Sequence, residues 1–201
     1  MASGGTSGRL RAYRSAARSN PMRALRSMGT GSADRGRIKA FVGAPLPAPM
    51  PEAGTERTLV LLKPDAVKRG LSGEILGRLE RKGLTIVGAR LLVVPADLAG
   101  RHYAEHAGKP FYDGLVRHIT GGPSLALAVE GRGAIAVVRL LVGATNPATA
   151  APGTVRGDLA IAMTPNLIHA SDSPASAERE LKLFFRPEDL HAYSRTDQEF
   201  F

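Results

Sequence analysis

The chain has 201 residues, 43% of them apolar, no cysteine and a formal charge of +9. That length supports one domain of ordinary size plus an extension, and the apolar fraction can fill a core. The composition excludes a disulfide-stapled module, a thiolate metal site and a cysteine nucleophile, and no apolar run approaches the roughly 18 residues of a membrane-spanning helix.

The charge is uneven. Residues 1–50 hold nine basic residues and a single acid, Asp34, a surplus of +8. Eighteen basic and seventeen acidic residues remain in 51–201, a balance of +1, so nucleic-acid binding is not expected of the core. Residues 1–54 read as a basic extension, rich in Ser, Gly, Ala, Pro and Arg and too poor in large apolar residues to fold alone. An Arg-rich, Ser-rich, acid-poor start suits a transit peptide for a mitochondrion or plastid. A disordered tail on a cytoplasmic protein and translation from Met50 are the alternatives. The nearest glycine pair to a dinucleotide motif, Gly29 and Gly31, also falls here.

From residue 55 the pattern becomes regular, and 55–201 reads as one domain. Thr58–Leu62 (TLVLL) predicts a buried strand. KPDAVKRG, from Lys63, reads as a loop in which Pro64 stops the strand. Ser72 is placed as the N-cap of a helix to Lys82, with Ile75, Leu76 and Leu79 on one face and Gly83 as its stop. A strand is predicted over Leu84–Val94 and helices over Asp97–His106 and Phe111–Ile119. After Gly121-Gly122-Pro123 come a strand, Ser124–Glu130, and a helix, Gly133–Val142. Gly143–Gly157 is a long loop, ordered or not, and loops of this length in a domain usually serve function. Asp158–Met163 is expected to be the fourth strand. Ser173 and Pro174 open the last helix, to Phe185, as N-cap and N1. Stripped of inserted helices, the order contains βαββαβ. That predicts an α+β, ferredoxin-like (split βαβ) fold, a four-stranded antiparallel sheet covered by helices.

Among five histidines His169 stands out: NLIHASDS, residues 166–173, gathers Asn166, His169, Ser171, Asp172 and Ser173 in eight positions. No GxSxG, HExxH, CxxC, EF-hand or GxxxxGK[ST] pattern is present. A hydrolase triad, a protein-built metal cage and a P-loop are therefore unsupported. Lys63, Arg139, Thr145 and Arg156 fall at element ends or in loops, and their types suit phosphate.

With these residues set out, the chain resembles the nucleoside diphosphate kinases. ERTLVLLKPDAVKRG, HYAEH with KPFYDGLV, GGP, GATNP, PGTVRGD, NLIHASDS and SAEREL carry the resemblance, in that order, from about Glu56 to Tyr193. Ala170 stands where the family commonly has glycine, and Ala66 where KPDG is frequent. The resemblance implies an enzyme that moves the γ-phosphate of a nucleoside triphosphate to a nucleoside diphosphate and so maintains (d)NTP pools. The route is ping-pong through a phosphohistidine. His169 would be the nucleophile, Glu180 its orienting partner and Ser171 a support. Arg139, Thr145 and Arg156 would grip the phosphates with help from His102, which Tyr103 adjoins, and the long loop would lie on the phosphate side. Lys63 would reach the sugar hydroxyl and γ-phosphate, Asn166 the ribose, and Phe111 and Met163 the two faces of the base. Mg2+ would come with the nucleotide, touched by Asp172 only through water, and the assembly would be a homohexamer or homotetramer. A catalytically inactive regulatory or nucleic-acid-binding protein on the same fold is the rival reading.

The chemistry stands beside the resemblance. A neutral imidazole is a competent nucleophile if one nitrogen is held by a partner. At 100° per residue, Glu180 falls between Leu183 and Phe184 at the border of the apolar face, whereas Glu178 points outward toward Lys182.

Overall fold

The structure, a computed structural model, describes residues 54–197. Residues 1–53, with the basic extension, Met50 and the Gly29–Gly31 pair, lie outside the described residues. The strands are β1 (Thr55–Leu62), β2 (Thr85–Leu92), β3 (Ser124–Arg132) and β4 (Ile168–Ala170). The helices are α1 (Pro64–Lys68), α2 (Ser72–Arg81), α3 (Ala96–His102), α4 (Tyr112–Thr120), α5 (Ala134–Val142), α6 (Val155–Leu159) and α7 (Pro174–Phe184).

The sheet order is β2-β3-β1-β4, and every neighbouring pair is antiparallel. β1 and β2 therefore run parallel with β3 between them, and β3 and β4 run parallel with β1 between them. These are two interleaved split βαβ units, the ferredoxin-like plan. Side chains alternate across the sheet. Val60 and Leu62 join the α2 and α5 residues Ile75, Leu79 and Val138 on one face. Leu59 and Leu61 join Leu98 of α3, Ile119 of α4 and Phe184 of α7 on the other. Leu61 is fully buried, so Leu61→Ala removes about 2–5 kcal/mol and loosens the layer under the site.

This alternation positions the key histidine. Ile168 and Ala170 belong to the α2/α5 face. His169 lies between them, paired with Leu61, and so points toward α3 and α7.

Several boundaries differ from the sequence expectation. The fourth strand is not Asp158–Met163. Thr154 caps a short helix there, its hydroxyl accepting the Gly157 N–H at 3.1 Å, and Asp158 accepts from the Gly153 N–H and Arg78. Ile161, which would have been a core strand residue, is 95% exposed. Ser72 is not a cap but the first helical residue; the N-cap is Leu71, without a side-chain bond. The KPD segment is the short helix α1, because Pro64 at N1 gives up only an N–H that has no helical partner. The helix expected to reach His106 ends at His102 and continues as a 3-10 turn, Ala104–His106. Ser173 does cap α7, accepting the Ser176 N–H. Glu178 does pair outward with Lys182, at 2.6 Å.

The long loop is ordered by two glycines. Gly143 has φ +83°, and a Cβ there would strike Thr154; a Cβ on Gly157 would strike the Ala151 carbonyl. The loop thus folds onto α6 closely enough to present Arg156 to β4.

Candidate active site

His169, on β4, lies at the base of a cleft of about 530 Å3 that also takes in Lys63, His102, Tyr103, Phe111 and Asn166. A broader, shallower depression of about 680 Å3 runs along α5, but neither His169 nor Lys63 reaches it. Convergent polar groups identify the first cleft as the chemical one.

Glu180, one of the few buried residues of α7, holds the imidazole. Its Oε2 lies 2.8 Å from His169 Nε2 and accepts the Ser171 hydroxyl at 2.7 Å. Burial works to raise the Glu180 pKa, but the hydrogen bonds and charge of His169, with the Ser171 hydroxyl, hold it below the usual carboxylate value. An ionised carboxylate can only accept, so Nε2 carries the proton and the lone pair is on Nδ1. The tautomer is set by the protein. His169 is about one-quarter exposed and Glu180 nearly buried, so the ring has an anchored edge and an accessible one.

His102 packs edge-on against this ring, 4.6 Å between centroids, and against Phe184 at 5.4 Å. It is 3% exposed, and neither ring nitrogen has a hydrogen-bond partner among the described residues. Burial, reinforced by the neighbouring His169, lowers its pKa to about 3. His102 therefore stays neutral and packs against the His169 ring. Burial pushes the Tyr103 phenol up, so its hydroxyl remains protonated at the cleft wall.

The cations form a graded set. Arg156 is 4% exposed and donates from Nε to Asn166 O, from Nη1 to Gly143 O and from Nη2 to Ile168 O. Three of its five N–H groups thus tie the long loop to β4, leaving two for a ligand. Burial, then repulsion by Arg139, lowers its pKa to about 10. Lys63 donates to Asn166 Oδ1 at 2.6 Å, and Asn166 Nδ2 donates to the Thr145 carbonyl at 3.1 Å. Burial and the Arg156 charge bring Lys63 down to about 8. Arg139 and Thr145 are exposed and line the same cleft. Phe111 and Met163, 52% and 54% exposed, stand at its mouth.

Sequence reasoning missed Asp65. Its carboxylate accepts the Leu167 N–H at 2.8 Å and lies 2.9 Å from His118 Nε2. Leu167 has φ +69°, in the left-handed region, and Ile168 N–H closes a tight turn onto Asn166 O. Such strain costs about 1–3 kcal/mol, and one hydrogen bond to a charged acceptor contributes about 1.5–3. Asp65, with the Lys63 N–H on Leu167 O, is thus sufficient to hold the bend that delivers His169. The Asp of KPD was visible, but no local spacing joins residues 65, 118 and 167. Arg179 and Glu105, a further pair on the cleft wall, were missed for the same reason.

Among the described residues, the one group able to converge on a metal is His102, His169 and Glu180. That nitrogen-rich, buried set is wrong for Mg2+, which takes oxygen ligands and keeps waters. Asp172 is exposed on the cleft wall, and hydrogen bonds led by Ser176 keep its pKa low. It fits a water-mediated contact to an ion carried by a ligand.

The chain matches the family model described as nucleoside diphosphate kinase over residues 56–190. It is 56% identical over 144 residues to a nucleoside diphosphate kinase of Archaeoglobus fulgidus, covering 72% of this chain and 95% of the relative. A nucleoside diphosphate kinase of Roseiflexus sp. is 57% identical, with 71% and 97% covered. Among solved structures, the chain is similar to the halophilic nucleoside diphosphate kinase of Halobacterium salinarum in complex with CDP. The TM-score is 0.71 at 48% identity, with 72% and 97% covered. The transition state mimic of the Borrelia burgdorferi enzyme, with bound vanadate and ADP, gives 0.69 at 36% identity, with 72% and 95% covered.

Proposed function

Since the chain belongs to the nucleoside diphosphate kinase family, we propose that His169 is the group it phosphorylates while moving a γ-phosphate from a nucleoside triphosphate to a nucleoside diphosphate. The observation that carries the assignment is the 2.8 Å pairing of His169 Nε2 with buried Glu180, at the base of the polar cleft. The Nδ1 lone pair attacks the γ-phosphorus, the bond to the β-bridging oxygen breaks, and the nucleoside diphosphate leaves. Nε2 keeps its proton, and the positive charge gained by the ring faces the Glu180 carboxylate. The second half-reaction is the reverse with a new diphosphate.

Positioning and electrostatics dominate such transfer. Lys63, Arg139, Arg156 and Thr145 hold the phosphates, Asn166 the ribose with Lys63, and Phe111 and Met163 sandwich the base. Stacking uses the π-face every base possesses, which accounts for tolerance of many bases. A divalent cation, proposed as Mg2+, arrives on the nucleotide, neutralising phosphate charge; Asp172 meets its water shell.

Exposed Leu91 and Val93 at edge strand β2, Leu140 on α5 and Ile161 support a homo-oligomer, proposed as a hexamer with a tetramer as the alternative. Among the described residues no helix is long and apolar enough to cross a membrane. We place the activity in the cytoplasm, with an organelle as the alternative if residues 1–49 act as a transit peptide; sequencing the native N-terminus decides.

The direct test is ATP–ADP isotope exchange without a second nucleotide. A ping-pong enzyme exchanges label in this mixture, and His169→Ala should abolish it while the protein still binds ADP. Undiminished exchange in the variant would overturn the assignment.

A further inference from the structure

Glu180 bears two demands on one oxygen: Oε2 takes both His169 and Ser171. Its other oxygen, Oε1, lies 3.6 Å from Arg179 Nη2. That same Nη2 donates to Glu105 Oε1 at 2.8 Å, from the 3-10 turn following α3. Glu105, Arg179 and Glu180 thus form a carboxylate–guanidinium–carboxylate chain along the cleft wall. It links the turn that leads to Phe111 with the acid that orients the nucleophile. Arg179 is only 37% exposed although it sits beside a buried helix position.

We propose that Arg179, steadied by Glu105, is a positioning residue that keeps Glu180 ionised and its Oε2 turned toward His169. The inference rests on the proposed roles of His169 and Glu180. Two features argue for it over a phosphate grip, the obvious role for an arginine in this cleft. The guanidinium already faces two carboxylates, and its Nη2 is committed to them. The buried carboxylate also needs an opposite charge besides His169, because burial favours its protonated form. His169 on β4, His102 on α3, Tyr103 directly after α3 and Ser171 are the other groups that face it; of these His102, Tyr103 and Ser171 are uncharged. Among the described residues, Arg179 is the permanently charged cation that pairs with Glu180, 3.6 Å from Oε1.

The test is the single-turnover phosphorylation of the full chain by ATP, with ADP affinity measured separately, in Arg179→Met, Arg179→Lys, Glu105→Gln and the Arg179→Met/Glu105→Gln double variant. Arg179→Met should lower the saturated phosphorylation rate on the order of tenfold while ADP affinity changes less than about twofold. The acid limb of its pH profile should move to higher pH, since Glu180 then protonates more readily. Arg179→Lys should restore part of the rate by restoring the charge. Glu105→Gln should show a smaller loss, and the double variant should be no slower than Arg179→Met, because Glu105 acts through Arg179. Tenfold weaker ADP binding with an unchanged saturated rate would make Arg179 a phosphate grip and overturn the proposal. So would an unaltered rate and profile. The phosphorylated residue of the unsubstituted protein is mapped alongside. Label on His169 with no effect of Arg179→Met sinks this inference alone; label elsewhere sinks the His169 assignment and this inference with it.

Discussion

The base and the mouth of the cleft are built in opposite ways. At the base, Glu180, His102, Arg156, Asn166 and Lys63 are all less than one-tenth exposed. Apart from His102, which packs against the His169 ring, each is hydrogen-bonded to another element. At the mouth, Phe111 and Met163 stand about half exposed and offer apolar surface. Bonds are exchanged at one end, where small displacements are costly. The proposed base site lies at the other, where an apolar face offers stacking without directional contacts. On the proposed roles, the division lets one protein combine exacting phosphate chemistry with loose base selection.

The sharpest way to break this comparison is to loosen the base alone. Glu180→Gln keeps shape but removes the charge and lets the side chain donate, so the His169 tautomer is no longer fixed. Single-turnover phosphorylation should slow on the order of 10²-fold with ADP affinity little changed. Equal losses in rate and affinity would mean that Glu180 is merely structural. Asp65→Ala acts one layer further out, freeing the Leu167 bend and leaving His118 unpaired. Denaturant unfolding should show a loss of about 2–4 kcal/mol, accompanied by reduced turnover. An unchanged midpoint would show that the bend holds itself.

The third prediction uses pH. Lys63 is charged below its pKa of about 8 and neutral above it, so phosphate attraction is present at neutral pH and lost on the alkaline side. kcat/KM should fall about tenfold per unit above that point. The limb for kcat should lie higher, because bound phosphates favour the charged amine. Coincident limbs would remove Lys63 from the phosphate site. The smallest effect belongs to the mouth: Phe111→Ala should weaken purine and pyrimidine nucleotides alike, by about 1 kcal/mol at the low end of stacking energies, with kcat nearly intact. A loss confined to one base would give the mouth a discriminating role.

The two ends also differ in how far the sequence reveals them. β1 and β3 are legible as continuous apolar runs buried on both faces, and α5 and α7 because burial recurs at the helical period over two turns or more. β4 is not. It has three residues, too few for a period, and the apolar DLAIAM stretch before it is a better local strand than the real one. Tertiary bonds from Asp158 to Arg78 and from Arg156 to β4 decide the outcome. In the site, NLIHASDS declares itself by composition, whereas Glu180 is named by the family resemblance and helix geometry merely permits it. The Asp65–Leu167 clamp and the Glu105–Arg179 link span 102 and 74 residues, and no local pattern encodes them. The commitment of Arg156 to three carbonyls was invisible for the same reason.

Central to the account is the claim that the protein leaves one imidazole nitrogen free and occupies the other. Phosphorylating the full chain with ATP under limiting hydrolysis and assigning the product by phosphorus–nitrogen-15 NMR tests it directly. The phosphate should be found on Nδ1 of His169, with Nε2 still protonated against Glu180. A phosphate on Nε2, or on any other residue, would contradict it.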